Sequence, residues 1–146
     1  MTDAARPDLV RLAAIREEPL DVDEVLRSLD DDGSGGLVLF VGRVRDHDGG
    51  KGVGGLGYSA HPTALERLHD VCAQVAGRHA VTGVAAVHRV GDLAVGDLAV
   101  VVATTSAHRG ESFEASRDLI DTLKSTVPIW KHQRFADGSD EWVGTP

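Results

Sequence analysis

The stretch LAVVVATTSAHRGESFEASRDLIDTLKSTVPIWKHQRF, residues 98–135, carries the clearest structural pattern in the chain. Its first eight residues, Leu98 to Thr105, are apolar or β-branched and predict a buried strand. After a polar turn, apolar residues recur at helical spacing up to Pro128, whose ring disfavours helical geometry at the preceding residue. Ile129 to Phe135 then predicts a final strand. The residues expected on the buried face of the helix are Phe113, Ser116, Ile120, Leu123 and Val127.

The sequence before this stretch predicts further strands and two more helices. The predicted strands are Leu9 to Ile15, Leu37 to Val41, Leu56 to Tyr58 and Val81 to Val90. A short helix begins after Asp21, where Asp21 and Glu24 have the spacing of a capping box, and a long one follows Thr63. Strands and helices do not alternate strictly, so we expect an α+β fold with two main helices and a mostly antiparallel sheet.

The segment Arg45 to Gly55 (RDHDGGKGVGG) has five glycines in eleven residues. Glycine resists a single backbone conformation, and such segments usually lie at the surface. We therefore expect a mobile surface loop.

The length and composition predict one cytoplasmic domain. The chain has 146 residues, of which 42% are hydrophobic, enough for one core. We expect a single domain over 1–146, with flexible ends at 1–8 and 143–146. The net charge of −8 argues against nucleic-acid binding, which needs a broad basic face. The first twenty residues do not resemble a signal peptide, and no uncharged apolar run is long enough to span a bilayer.

The single cysteine and the seven histidines do not predict a metal centre. Cys72 lies on the apolar stripe of the second predicted helix and is expected to be a buried, unreactive thiol. No two histidines are spaced i and i+4 on a predicted helix, and Asp46 and Asp48 lack the ligand spacing of a calcium loop. We expect neither a bound metal nor a cofactor.

Polar side chains form four clusters at the ends of predicted elements. They are Arg43 with Arg45, His88 with Arg89, His108 with Arg109, and Lys124 with Lys131. The third cluster precedes a helix, whose N-terminal N–H groups favour an anion. Each cluster also has a structural interpretation: strand-end arginines are often solvated or paired, and a lysine in the last helical turn is a common dipole partner. These patterns predict an anion pocket without naming its ligand.

Four strings, taken in order, resemble the large subunit family of molybdopterin synthase. They are FVGRVRDH from Phe40 to His47, HRVG from His88 to Gly91, SAHR from Ser106 to Arg109, and LKSTVPIWK from Leu123 to Lys131. The resemblance extends from about Gly36 to Trp142.

The resemblance implies an α/β hammerhead fold and a sulfurtransferase. In this family a central homodimer carries a small ubiquitin-like sulfur-carrier subunit at each end, giving a heterotetramer. The carrier's C-terminal Gly-Gly tail, bearing a thiocarboxylate, enters a pocket of the large subunit. Two sulfurs from two successive carriers are transferred to cyclic pyranopterin monophosphate, forming the dithiolene of molybdopterin.

The resemblance also implies roles for particular side chains. Phosphate and pterin binding falls to Arg45, His108 and Arg109, with His108 a candidate proton donor. Lys124 and Lys131 are the catalytic candidates, converging on the thiocarboxylate, with their individual roles open. Phe40 and Ile120 either line this pocket or belong to the ordinary core.

Two departures from the family pattern leave alternatives open. Gln133 stands where members often have an acidic residue, and no Lys or Arg follows Arg134, whereas many members have a basic tail residue that enters the neighbouring subunit's pocket. One alternative is therefore a non-catalytic paralogue that only binds the carrier or a phosphorylated pterin. Another is an enzyme that acts on a phosphorylated ligand without a carrier.

Overall fold

The computed structural model describes residues 4–48 and 50–143, except the side chain of Lys51. Within these residues, nine strands and three α-helices form two sheets with helices packed against the first. The strands are β1 (Val10–Arg16), β2 (Gly36–Arg43), β3 (His47–Asp48), β4 (Lys51–Ala60), β5 (Gly83–Arg89), β6 (Gly91–Leu93), β7 (Leu98–Ser106), β8 (Ile129–Phe135) and β9 (Asp140–Val143). The helices are α1 (Val22–Ser28), α2 (Ala64–Arg78) and α3 (Arg109–Thr126).

The first sheet has the strand order β1-β5-β7-β2 and contains the core. β1 pairs with β5 in parallel, and the other pairs are antiparallel. Successive residues of β7 point to opposite faces, and both faces are covered. Val100 and Val102 pack against α2 and α3, while Val101 and Ala103 pack on the side of α1. This double burial explains why β7 is a continuous apolar run.

The second sheet has the order β3-β4-β8-β9, with β6 also paired to β4, and every pair in it is antiparallel. Strand β9, which was not predicted, is joined to β8 through His132. The imidazole Nε2 of His132 lies 2.6 Å from an Asp140 carboxylate oxygen, and its ring stacks on Trp142 at 4.4 Å. The α+β class with a mostly antiparallel arrangement is thus confirmed.

The glycine-rich segment is more regular than expected. Residues 47–48 and 51–55 belong to β3 and β4, so this part of the expected mobile surface loop is a strand hairpin, while Gly49 lies outside the described residues. At Gly55, the absence of a side chain allows other residues to approach the backbone closely. A Cβ at Gly55 would lie 3.2 Å from the Arg134 guanidinium and 3.4 Å from the Leu93 carbonyl oxygen.

Two local predictions about the helices were wrong. Phe113 is 61% exposed, because the buried face of α3 runs through Ser112, Ala115, Ser116 and Leu119, about 100° from Phe113 around the helix. Asp21 does cap α1 by accepting a hydrogen bond from the Asp23 N–H, but Glu24 pairs with Arg16 instead of completing a capping box.

The described part of the expected flexible ends contacts α2. The Arg6 N–H donates to the Ala73 carbonyl over 2.8 Å, and Pro7–Leu9 form a 3-10 turn. Residues 1–3 and 144–146 lie outside the described residues. None of the described helices is both long enough and apolar enough to span a membrane.

An ion-pair cluster joins the end of α2 to α3. Arg78 Nε and His79 Nε2 lie 3.0 and 2.8 Å from the same Asp118 carboxylate oxygen. Partial burial acts to raise the pKa of Asp118, but hydrogen bonds from Arg78, His79 and Thr122 outweigh it and lower that pKa to about 2.

This cluster predicts a stability difference that depends on pH. The folded-state pKa of Asp118 lies below its unfolded value of about 3.9, so its contribution is complete above that pH and is lost as the pH falls through about 2. We expect Asp118→Asn to lower the melting temperature at pH 7 and the gap to wild type to narrow at pH 2.5. Asp121→Asn, on the same helix but 3.8 Å from Arg117 and exposed, is the control and should change little. A gap as large at pH 2.5 as at pH 7 would contradict this account.

Candidate active site

Two lysines line one cavity between α3 and the second sheet. The cavity has a volume of about 210 Å³ and is bounded by Tyr58, His88, Leu123, Lys124, Val127, Ile129, Lys131 and Val143. Lys124 lies in the last turn of α3, and Lys131 is the third residue of β8.

The break between α3 and β8 brings the lysines together. Val127 has extended dihedral angles, φ −78° and ψ 124°, as the residue before a proline prefers, while its N–H still bonds the Leu123 carbonyl. The chain then turns at Pro128 and pairs with β4, placing Lys131 opposite Tyr58. Pro128 therefore positions both cationic side chains at one cavity.

Two effects lower the pKa of Lys124. Burial lowers the pKa of Lys124, and the positive charge of Lys131 lowers it further, although part of the Lys124 side chain remains accessible. Lys124 thus gives up its proton more readily than an ordinary lysine does. An amine with a lowered pKa is suited to accept and return a proton, while a neighbouring ammonium holds an anion.

The cavity also contains two side chains to which the sequence analysis gave no role there. The Tyr58 and His88 rings meet edge to face, with centroids 4.9 Å apart, and burial raises the pKa of Tyr58. His88 is only 6% exposed. The sequence signal for His88 was its cluster with Arg89 at the end of an apolar strand, but that pattern did not indicate which cavity it would join.

His108 and Arg109 lie at the opposite end of α3, exposed beside the loop before β2. The Ser106 hydroxyl donates to the His108 carbonyl, and Gly36 approaches so closely that a Cβ there would lie 2.8 Å from Arg109 Cα. This contact fixes the turn that opens the helix. From Arg109 to Lys124 is fifteen residues, or about 22 Å along the helix axis.

Phe40 and Ile120 line a separate apolar groove together with the exposed Phe113. Ile120 is one helical turn before Lys124, so the groove adjoins the lysine cavity along α3. Arg45 lines another depression, together with Arg43 and His47. One chain therefore brings only Lys124 and Lys131 of the predicted site residues into one cavity. The others line different depressions: Phe40 with Ile120, His108 with Arg109, and Arg45.

The comparison with known proteins gives the family. Residues 15–126 match the MoaE protein family. The chain belongs to this family. It is 42% identical over 131 residues to molybdopterin synthase catalytic subunit 1 of Mycobacterium tuberculosis, covering 89% of this chain and 88% of that protein.

Solved structures share the MoaE fold. Molybdopterin synthase from Staphylococcus aureus superposes with a TM-score of 0.85 at 29% identity, over 92% of this chain and 98% of that one. A Helicobacter pylori chain, from a complex of subunits 1 and 2 of molybdopterin-converting factor, is 18% identical. It has a TM-score of 0.67 over 94% of this chain and 90% of that one, and supports the fold alone. The predicted resemblance is confirmed.

The structure of this MoaE chain shows what Gln133 contacts. Its side chain is 3% exposed, and its amide donates to an Asp48 carboxylate oxygen over 2.7 Å. The other Asp48 oxygen lies 3.3 Å from the Arg45 guanidinium. Asp48 of β3 therefore supplies a carboxylate next to Gln133, the position where family members often have an acidic residue. Through Asp48, Gln133 also connects β8, which carries Lys131, to Arg45.

The small number of lysines in this MoaE chain makes the lowered pKa of Lys124 directly measurable. The chain has only Lys51, Lys124 and Lys131, so selectively ¹³C-labelled lysine gives three NMR signals. We expect the Lys124 signal to titrate below the usual lysine range. Lys131→Met removes a like charge and should move the Lys124 midpoint to higher pH. A Lys124 midpoint that is ordinary in wild type, or unmoved by Lys131→Met, would contradict this electrostatic description.

Proposed function

We propose that the chain is the catalytic subunit of a molybdopterin synthase. It transfers sulfur from the C-terminal thiocarboxylate of a small carrier protein to cyclic pyranopterin monophosphate. The observation that carries the proposal is the Lys124–Lys131 pair in one cavity, with the Lys124 pKa lowered by burial and by its neighbour. An enzyme with such a pair can bind an anionic sulfur donor and move protons at one place.

The position of Cys72 supports a sulfur donor that arrives on another molecule. Cys72 is fully buried in the core between α2 and the first sheet, and burial raises the pKa of its thiol to about 12. A thiol held in the protonated form and away from solvent is a poor nucleophile. The chain thus offers no reactive sulfur of its own among its side chains, consistent with a carrier.

The two lysines suit different parts of the transfer. The Lys131 ammonium holds the thiocarboxylate while its sulfur forms a bond to a carbon next to the pterin ring. The bond from that carbon to the cyclic phosphate oxygen breaks, and the opened phosphate stays on the ligand as a monoester. The resulting thioester is then cleaved by water, whose oxygen ends on the carrier's terminal carboxylate while the sulfur stays on the pterin. Neutral Lys124 accepts the proton that the water loses. A second carrier adds its sulfur to the adjacent carbon, which is at the carbonyl level. The oxygen of that carbon leaves as water, and hydrolysis of the second thioester completes the dithiolene.

The length of α3 requires a second copy of the chain if all the assigned residues act on one substrate. Arg109 and Lys124 are about 22 Å apart along the helix, farther than one pyranopterin monophosphate extends. His108 and Arg109 therefore serve the lysine cavity of the other protomer. This arrangement fits a homodimer, in which each site combines two chains. Phe40, Ile120 and Arg45 complete the proposed binding surface.

The lysine cavity favours an active enzyme over a non-catalytic paralogue. The replacement of an acidic residue by Gln133 is the main sequence feature for the paralogue, yet Gln133 binds Asp48 and so retains a carboxylate nearby. The cytoplasmic location expected from the sequence remains part of the proposal.

Reconstitution distinguishes the three possible functions. The chain is mixed with cyclic pyranopterin monophosphate and the carrier in either its thiocarboxylate or its carboxylate form, and molybdopterin is detected as its fluorescent oxidation product. Product that forms with the thiocarboxylate form of the carrier, but not with its carboxylate form, supports the proposal. A stable carrier complex without product indicates the paralogue, and turnover of the pterin without carrier indicates the carrier-independent enzyme.

A further inference from the structure

His88 is the most buried polar side chain of the lysine cavity. It lies near the end of β5, between the Tyr58 ring and the strand backbone, and also lines the cavity that Lys124 and Lys131 share. The reaction described above gives it no part. A buried histidine at a reaction site has a defined tautomer that its contacts reveal.

The tautomer of His88 follows from one hydrogen bond. Its Nδ1 lies 2.7 Å from the backbone carbonyl oxygen of Arg89. A carbonyl oxygen can only accept, so Nδ1 carries the hydrogen and donates it. In the neutral ring, Nε2 then has the free lone pair and is an acceptor.

The surroundings keep this imidazole neutral. Burial is the main cause, and the charge of Lys124 adds to it, so that the pKa of His88 falls to about 4 in spite of the bond to Arg89. The groups that face the ring are the Tyr58 side chain, the Arg89 carbonyl and the Lys124 amine. Near pH 7 the Nε2 atom is therefore an acceptor in almost every molecule.

His88 lines the cavity, and its one hydrogen bond within the described residues is made by Nδ1 and not by Nε2. Across residues 4–48 and 50–143, the one fully buried side-chain nitrogen or oxygen that lacks a hydrogen bond is Arg16 Nε. His88 Nε2 is unbonded as well but is not fully buried, so a ligand in the cavity that His88 lines can reach it. The ammonium forms of Lys124 and Lys131 can only donate, whereas the neutral His88 ring offers Nε2 as an acceptor to a ligand in this cavity.

We propose that His88 is a further binding residue of the site, whose Nε2 accepts a hydrogen bond from an N–H group of the bound ligand. Within the function proposed above, this N–H belongs either to the pterin ring system or to a backbone amide of the carrier's glycine tail. Both present the same chemistry, a neutral N–H donor. His88 thereby orients the ligand against the lysines while taking no proton itself.

Two amide substitutions separate the two nitrogen positions of His88. Asn retains a donor near Nδ1 for the Arg89 carbonyl but has no group at the Nε2 position, whereas Gln can place its amide oxygen there. With carrier saturating, the Michaelis constant for the pterin is measured, and with pterin saturating, that for the thiocarboxylated carrier. Losing one such hydrogen bond should raise one of the two constants about tenfold in His88→Asn. His88→Gln should recover part of the loss.

The constant that rises identifies the donor, as pterin or as glycine tail. The proposal also requires an unchanged pH midpoint of kcat, because His88 stays neutral over the working range. Two unchanged Michaelis constants, or a change confined to kcat and its pH midpoint, would overturn it and indicate an effect through Lys124.

A second measurement uses the unaltered chain, in case the variants fail to fold. In ¹⁵N-histidine NMR, His88 Nε2 should have the chemical shift of an unprotonated ring nitrogen and should shift when pterin or carrier is added. A resonance that neither ligand moves overturns the proposal. Because this experiment measures binding, it can succeed or fail independently of the sulfur-transfer activity.

Discussion

Replacing Lys124 by alanine is expected to lower molybdopterin formation by about 10²–10⁴-fold, the usual range for a group that transfers a proton in the rate-limiting step. Lys124 is the lysine whose pKa is lowered by burial and by Lys131. Alanine removes the amine without burdening the fold, since the side chain ends in a cavity and Leu123 supplies the helix's contact with the core. The rate is measured in single-turnover reactions with saturating thiocarboxylated carrier.

Two further variants show whether this loss is specific. Lys124→Arg keeps the positive charge but cannot supply a neutral amine, so it should be nearly as inactive as Lys124→Ala. Arg67→Ala removes an exposed cation from α2, far from the cavity lining, and should leave the rate unchanged. Substantial activity in Lys124→Arg would show that charge, and not proton transfer, is what Lys124 contributes.

Two inactive variants are expected to restore activity to each other when they form mixed dimers. Arg109→Ala and Lys124→Ala each damage both sites of their own homodimer, if every site takes Arg109 from one chain and Lys124 from the other. In a mixed dimer, one site receives both damaged residues and the other receives neither. With random mixing, half of the dimers are mixed and one of the two sites in each is intact. About a quarter of wild-type activity should therefore return, from a background orders of magnitude lower.

The matched control carries both substitutions on the same chain. Mixed with wild type, the Arg109→Ala/Lys124→Ala chain forms hybrid dimers in which each site has one damaged residue, so these hybrids should be inactive. If Arg109 and Lys124 acted within one chain, the pattern would reverse: the singly substituted chains would not complement, and the hybrids with wild type would keep one active site. That reversal would contradict the two-chain site.

The elements that the sequence predicted well are those with strong local signals. The strand Leu98–Ser106 is apolar throughout, and Pro128 ends α3, so both were predicted within a residue or two. The hairpin containing β3 and the start of β4 was not predicted, because some of its glycines meet residues remote in sequence: Gly52 lies close to Ala136, and Gly55 close to Arg134 and Leu93. Phe113 was misplaced because an apolar residue was assumed to face inward.

The site was predictable only in part for a similar reason. Lys124 and Lys131 flank one proline, so their convergence follows from local geometry. The joining of His88 to this cavity depends on how β5 meets β4 through Tyr58, and its tautomer depends on one backbone carbonyl. Neither can be read from residue types. The distance between Arg109 and Lys124 could be calculated from the predicted length of the helix. The need for a second chain follows only once the structure shows that α3 is unbroken between them.

The central claim is that the sulfur of the product comes from the carrier and is transferred at the lysine cavity. The most direct test supplies carrier with a ³⁴S-labelled thiocarboxylate to the wild-type chain and to Lys124→Ala, and determines the mass of the molybdopterin formed. We predict that wild type places two heavy sulfurs in each product molecule and releases two carrier carboxylates. Lys124→Ala should bind the labelled carrier and form almost no product. Unlabelled sulfur in the product, or equal labelling by both chains, would contradict this account.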